Sequence, residues 1–218
     1  MNDFGLSIRS QMDGVLRKTG SDRADAFIPS PSLQNHAASL SRLPSGHLTC
    51  VWFGGTMEGM PDISTHMSTF DESAGAWSSA TVLRDDPARS EQNPLLFNAP
   101  DGTLWLLYTS QISGNQETAV VRRRISTDGG KSFGAPHTMI DAPGTFIRQP
   151  IVTLSSWDLL LPVFNCKIIP GEKWSGNHDI SGIYRFIDKI YTAQVLNAKG
   201  NDLAIEALEV AYERIERA

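Results

Sequence analysis

Cysteine is scarce in this chain. Cys50 and Cys166 are the only two among 218 residues, and each sits inside an apolar run, LTCVWF and VFNCK. Their spacing fits no metal motif, so both read as small buried side chains. Basic charge is not in excess either. Nineteen Lys and Arg against 24 Asp and Glu leave a formal net charge of −5, which gives no extended positive field for nucleic acid. A local basic groove for an acidic small molecule is compatible with that balance. No uninterrupted apolar stretch is long enough to cross a bilayer, so no membrane partner is expected. The amino-terminal run MNDFGLSIRSQMDG lacks the basic-then-apolar order of a secretory leader. The expectation is a soluble, cytoplasmic protein. No His, Asp or Glu cluster has metal-ligand spacing, and neither a metal nor another cofactor is expected.

What is present is a repeat. NHAASLSRLPSGHLTCVWFGGT from Asn35 and QNPLLFNAPDGTLWLLYTSQ from Gln92 have the same plan. Pro44-Ser45-Gly46 matches Pro100-Asp101-Gly102 and Trp52 matches Tyr108, each 56 residues apart. RQPIVTLSSWDLLLPVFNC, from Arg148, is a third copy in which Ser155-Ser156-Trp157-Asp158 replaces the Pro-Asp-Gly turn. Each copy predicts a short strand, a tight turn and a second, very apolar strand. Asp bonds its own backbone in such turns and Gly accepts positive φ. A strand apolar on both faces has to lie between neighbouring sheets.

A loop, a third strand and another turn follow. In the second copy these are SGNQE, TAVVRRRIS and TDGGKSFG; in the first, GGTMEGMP, DISTHMSTF and DESAGAW. In the third copy the loop is IIPGEKWSGNH and the strand begins DISGIY. Repeats of about 40–50 residues with several strands each are what propeller blades look like, and the 3.6-residue period of stacked helices is missing from these segments.

Ser126-x-Asp128-x-Gly130-x-Ser-Phe133 resembles the Asp box of sialidase-type β-propellers. The runs DDPARSEQNP, GTLWLLYTSQ, RRRISTDGG, GTFIRQPIV and LLLPVF resemble the same Asp-box, or bacterial neuraminidase repeat, sialidase-like family. The resemblance covers residues 14 to 182. It implies that Ser126, Asp128, Gly130 and Phe133 are structural, in a hairpin turn away from the catalytic face. The fold class expected is all-β: a partial β-propeller of about three to four blades of a fold that has six or seven in the family. The expected division is a propeller over residues 1–186 and a divergent helical tail over 187–218. The tail expectation rests on LAIEALEVAYERIERA, where Leu203, Ala207, Leu208, Ala211 and Ile215 make an apolar stripe at helical spacing. An open propeller would leave one face unpaired, available for the tail or for self-association.

His36, Gln92 and Arg148 occupy equivalent positions, each just before the innermost strand of its copy. In a propeller such residues converge on one mouth of the central channel. Asn35, Asn93 and Gln149 are their neighbours. The loops after the second strands add Glu58, Asp62, Gln116, Trp174 and Asp179. Amides and carboxylates bond sugar hydroxyls, and Trp174 suits a ring face. Arg148 is the expected carboxylate reader, because a guanidinium offers a bidentate fork to a planar anion. His36, Arg148, Glu58 and Asp62 are therefore the catalytic candidates, and Asn35, Gln92, Asn93, Gln116, Gln149, Trp174 and Asp179 the substrate-binding ones. Arg122, Arg123 and Arg124 alternate along one strand, so at most two share a face. Tyr108 reads as core; His47, His66 and His137 read as surface residues.

The activity implied by the resemblance is glycoside hydrolysis at a terminal acidic sugar, with a carbohydrate as partner. A polysaccharide lyase acting on rhamnosyl-glucuronate linkages is an alternative: His36 would remove the proton beside the carboxylate, with Arg148 steadying the enolate. A third reading is a truncated, non-catalytic carbohydrate-binding module or an inactive remnant. The arginine triad and tyrosine nucleophile that a sialidase needs are not visible as a set.

Overall fold

The computed structural model describes residues 11–84, 86–166, 191–196 and 203–204, the last two segments as strand backbone. A short hairpin, β1 (Arg17–Lys18) and β2 (Ala24–Asp25), precedes three sheets of similar plan. The first sheet has β3 (Gln34–Arg42), β4 (Leu48–Gly55), β5 (Ser64–Asp71) and, beside β5, the short β6 (Ala76–Trp77) and β7 (Thr81–Val82). The second runs β8 (Arg89–Asn98), β9 (Leu104–Ile112), β10 (Val120–Ser126) and β11 (His137–Ile140). In the third, β12 (Thr145–Ile147) and β13 (Val152–Thr153) both pair with β14 (Leu159–Asn165), then come β15 (Tyr191–Leu196) and β16 (Leu203–Ala204). Every pairing is antiparallel and, apart from β5 with β7 and β12 with β14, joins neighbours in sequence, so each sheet is built as a meander. Three such meanders in series make a partial β-propeller.

The turn between the first two strands is the same in all three sheets. Gly46 N–H donates to Leu43 O, Gly102 N–H to Ala99 O and Trp157 N–H to Leu154 O, at 2.8, 2.9 and 2.9 Å. Gly46, Gly102 and Trp157 have φ of 88°, 83° and 69°. The third copy therefore holds a tryptophan in the left-handed region where the other two use glycine.

The repeat offset extends to a backbone irregularity. The register of β3 against β4 shifts between His36 and Ser39, and that of β8 against β9 between Gln92 and Leu95. Ala37 and Asn93, 56 residues apart in the sequence, have φ of 54° and 52°. In the third sheet the inner strand breaks between Ile147 and Val152, at the equivalent place. Each copy thus carries an irregularity in its first strand, a bulge in the first two and a break in the third, which re-aims the side chains around it.

The core consists of two layers between sheets. Leu43 and Val51 of the first unit meet Leu96, Leu104, Leu106 and Tyr108 of the second, with Met67, Leu83 and Phe133 at the margin. Leu95, Leu107 and Val121 of the second meet Ile147, Leu161 and Val163 of the third, with Ile140 beside them. Strand β9 is apolar on both faces because it has a sheet on each side.

The three arginines of β10 divide as alternation requires. Arg122 pairs with Asp86 at 3.1 Å, and Arg124 donates to the carbonyls of Leu83, Phe133 and Gly134, each at 2.8 Å. Both tie β10 to the connection between the first two sheets. Arg123 lies on the other face, 4.2 Å from the Trp105 ring centroid, a cation–π contact.

The turn after β10 is knit by Asp128. Its Oδ1 accepts from Ser126 Oγ at 2.7 Å and Ser132 N–H at 3.0 Å, and its Oδ2 accepts from Ser132 Oγ at 2.6 Å. Ser126 Oγ in turn accepts the Gly130 N–H at 2.8 Å. Ser132, first through its hydroxyl and then its amide, holds the Asp128 carboxyl well below the usual carboxylate range. Gly130 has φ of 93°, and a Cβ there would lie 3.0 Å from Leu104 Cδ2 and 3.2 Å from Leu43 Cδ2.

The third sheet continues past residue 186, through β15 and β16. Leu203–Ala204, expected to open a helix, pairs with Val195–Leu196 as strand. Strand β14 has a free edge until β15 joins it, and β15 until β16 does. Backbone pairing there outweighs the local helical period, which is a weak determinant in tertiary context. The rest of the expected helix lies outside the described residues.

Trp157→Gly is expected to raise stability by about 0.5–1 kcal/mol, since the left-handed penalty exceeds what an exposed indole contributes. A lowered urea midpoint would contradict the turn equivalence. Gly130→Ala is expected to lose about 1–3 kcal/mol, more than Gly46→Ala, where no atom lies within 4 Å of the added methyl. Equal losses in parallel urea titrations would mean the Leu104 and Leu43 contacts contribute nothing.

Candidate functional site

The loops and strand ends around these irregularities bring part of the expected site together. Arg148 is exposed, and its Nη1 donates to Asn93 Oδ1 at 3.3 Å. That links the leading residues of the second and third units. The bulge explains which residue makes the link: with φ of 52°, Asn93 is turned out of the ladder toward Arg148. Gln92, expected in the mouth, pairs with Thr109 just before the bulge and is only 4% exposed. Its Nε2 donates to Ser90 Oγ at 3.0 Å. It faces into the packing between the second and third sheets, as Thr109 does when its hydroxyl accepts the Ile147 N–H at 3.2 Å. Gln149 is exposed beside Arg148.

His36 is exposed at the end of the first unit's inner strand, its ring stacked on Phe53 with centroids 5.3 Å apart. Glu58 is exposed too, and its N–H donates to Gln34 Oε1 at 3.3 Å, which holds the loop after β4 close to the His36 strand. Asp62 closes that loop. Its two oxygens accept from Thr56, from the amide at 2.8 Å and the hydroxyl at 3.0 Å. Partial desolvation raises the Asp62 carboxyl, but the Thr56 bonds and the Arg84 charge outweigh it and leave it below its ordinary value. Asp62 is thus a loop clasp in this geometry, with both oxygens occupied. Gln116 is exposed in a single 3-10 turn, 116–118, capped by the Asn115 side chain. Gly114 N–H donates to Gly59 O at 2.9 Å, so the loops of the first two units touch. Trp174 and Asp179 lie outside the described residues.

Asn35 has a different neighbourhood from the one expected of a free sugar ligand. Its Oδ1 accepts from Ser30 Oγ at 2.6 Å and from Trp52 Nε1 at 2.9 Å. Close approach is possible because residue 54 is glycine; a Cβ there would stand 2.8 Å from Asn35 Oδ1. Trp52 stacks on His66, centroids 5.5 Å apart. His66, expected at the surface, is 2% exposed. Trp52 and His66 are register partners on β4 and β5, and the segment before β3 covers them. His66 Nδ1 donates to Ser64 O at 2.9 Å, which leaves Nε2 to accept from Ser32 Oγ at 3.2 Å. Burial lowers the His66 pKa, and the bond to Ser64 O offsets this only in part.

Beside this network is a cleft of about 320 Å³, lined by Met12, Ile28, Ser30, Asn35, His36, Ala37, Ala38, Cys50 and Trp52. Cys50 is free, and burial pushes its thiol up to about 11, so it contributes bulk and not reactivity. The cleft was not anticipated. It lies on the face of the first sheet that carries Cys50 and Trp52, opposite the face that meets the second sheet through Val51.

Among the described residues, no group of three or more His, Cys, Asp and Glu side chains is placed to hold a metal, and no helix is long and apolar enough to cross a membrane.

Comparison with known proteins agrees with this architecture. The BNR repeat-like domain family matches residues 46–187, and the chain belongs to that family. Its fold is similar to a Dyadobacter fermentans protein of unknown function, at 14% identity and a TM-score of 0.56, over 89% of this chain and 57% of that one. It is similar to the Hadza microbial sialidase Hz136 at 12% identity and a TM-score of 0.52, over 62% of this chain and 33% of the sialidase. A puromycin hydrolase is similar at 15% identity and a TM-score of 0.51, over 90% of this chain and 27% of the hydrolase. The chain therefore spans between about a third and somewhat over half the length of the first two. No curated protein matches it in sequence.

A buried neutral histidine sets a pH dependence. With its folded pKa lowered, His66 takes up a proton in the unfolded chain first, near pH 6.5. Stability is then full above that pH and falls as pH drops below it, by at most about 1.4 kcal/mol per pH unit. Urea midpoints of wild type and His66→Gln, compared from pH 7.5 to 5, should converge toward acid. Parallel curves would show that His66 does not titrate in this way.

Proposed function

We propose that this chain is a carbohydrate-active member of the BNR repeat-like family that engages a terminal acidic sugar at the mouth formed by the leading ends of the inner strands. The observation that carries the reading is the state of Arg148. Arg122 is neutralised by Asp86, and Arg89 and Arg124 are committed to Ser110, Thr118 and main-chain carbonyls. Arg148 is exposed and meets a neutral amide, Asn93. A guanidinium positioned by an amide keeps its fork for an incoming carboxylate. Family membership and the fold shared with a protein named as a sialidase favour a glycoside as the carrier of that carboxylate.

His36 and Glu58 supply the exposed titratable groups on the first unit's side of the mouth. Hydrolysis would use the carboxyl of Glu58 as proton donor to the leaving oxygen. A second reading is favoured by the exposed, ring-stacked His36: elimination on a uronate, with the imidazole as base and Arg148 opposite the developing enolate. Asp128, with its turn of internally bonded serines and glycines, has the structural role of an Asp box in either case.

The purified chain is to be screened on sialosides and rhamnosyl-glucuronides. Hydrolysis releases the sugar without new absorbance, whereas elimination leaves a conjugated, ultraviolet-absorbing uronide. Arg148→Ala is expected to lower kcat/KM at least tenfold, about 1.4 kcal/mol of transition-state binding. An unchanged rate removes Arg148 from the mechanism.

A further inference from the structure

Asn93 combines an unfavourable backbone with a buried amide. Its φ is 52°, in the left-handed region that residues other than glycine rarely adopt. It also precedes Pro94, and a residue before proline is pushed toward extended backbone. The residue is only 8% exposed. Strain of this kind persists only where the surroundings over-determine it.

The amide is not what produces the bulge. Ala37, 56 residues earlier, reaches φ of 54° at the same register shift with only a methyl group. Nor is the amide what holds the second unit to the third. That contact is the apolar layer of Leu95, Leu107, Ile147, Leu161 and Val163, with the Ile147 N–H on Thr109 Oγ1. The bond from Arg148 to Asn93, at 3.3 Å, is longer than the roughly 2.9–3.0 Å at which such bonds are commonest.

The partner fixes the orientation of the amide. A guanidinium only donates, so the atom facing Arg148 Nη1 is the oxygen, Oδ1. Nδ2 then donates to nothing among the described residues. It is not one of the buried side-chain atoms left without a partner, so solvent reaches it. Arg148 is exposed and makes no ion pair among the described residues. Its remaining N–H groups and Asn93 Nδ2 are thus adjacent donors, linked through one bond and still without an acceptor. Aspartate in place of Asn93 would have the same shape, but it would neutralise Arg148 and set a second negative oxygen where Nδ2 stands.

We propose that Asn93 is a specificity-determining residue of the mouth: Nδ2 donates to the second oxygen of the carboxylate whose first oxygen Arg148 holds. This rests on the reading of Arg148 as the carboxylate reader. It adds that the anion is taken by a pair of residues from two units, one cationic and one neutral, and that the bulge is what sets the neutral member in place.

Titration of the whole chain with sodium acetate, methyl β-D-glucuronide and methyl β-D-glucoside, followed by proton–nitrogen correlation spectra of the side-chain amides, tests this. The Asn93 amide signals, assigned by their loss in Asn93→Asp, are expected to shift with acetate and with the glucuronide and to stay in place with the glucoside. Arg148→Ala is expected to lose both shifts. Asn93→Gly frees the left-handed backbone of strain and removes the amide. It is expected to melt no lower than wild type, yet to bind the glucuronide about tenfold more weakly, as for loss of a hydrogen bond to a charged group. Asn93→Asp is expected to bind it more weakly still, because like charges then face each other. Should Asn93→Gly melt lower, the amide shift with acetate, read on the wild type, still decides. If acetate moves the Asn93 amide but the glucuronide binds no more tightly than acetate, the donor pair stands and the acidic-sugar reading fails. If the glucuronide binds and Arg148→Ala abolishes it, but the Asn93 amide does not shift or a folded Asn93→Gly binds as wild type does, the acidic-sugar reading stands and the role of Asn93 is overturned. No response to either anion overturns both.

Discussion

The central strand of the second unit, Leu104–Ile112, carries apolar side chains on both faces, and most other features follow from that constraint. Leu106 and Tyr108 point to one side and Leu107 to the other. A strand of this kind cannot face water on either side, so its sheet is stable only with a neighbour packed on each face. The first sheet covers one face through Val51 and Leu43, the third covers the other through Ile147, Leu161 and Val163. Successive sheets packed face to face in this way bring the leading ends of their inner strands to a common edge.

The bulges re-aim the residues at that edge. Had the inner strands run regularly, residues 92 and 93 would simply alternate between the two faces. The shift after Gln92 leaves that residue buried against the third unit and swings Asn93 to meet Arg148. The same register shift follows His36 in the first unit, with alanines in place of Asn and Pro.

Arginine is handled by the same economy of position. Arg122, Arg123 and Arg124 are consecutive, yet two stitch their strand to the preceding connection and one stacks on Trp105. Arg148, by contrast, is exposed, with its Nη1 on the Asn93 amide oxygen. Clustering of charge in the sequence thus says little about where each arginine goes, which strand alternation and register decide.

The propeller repeat, the 56-residue offset, the turn chemistry and the apolar second strands were all legible in the chain, because they depend on local periodicity and on residues that φ and hydrogen bonding restrict locally. The equivalence of residues 36 and 92, each just before a register shift, was legible for the same reason. What the sequence could not show was direction. Whether Gln92 or Asn93 faces Arg148, that His66 is buried under the segment before β3, and that Asp62 closes its own loop all depend on register shifts and on contacts between residues far apart in the chain. Local pattern fixes which faces are apolar; only the packing of one sheet on the next decides where each polar group ends up.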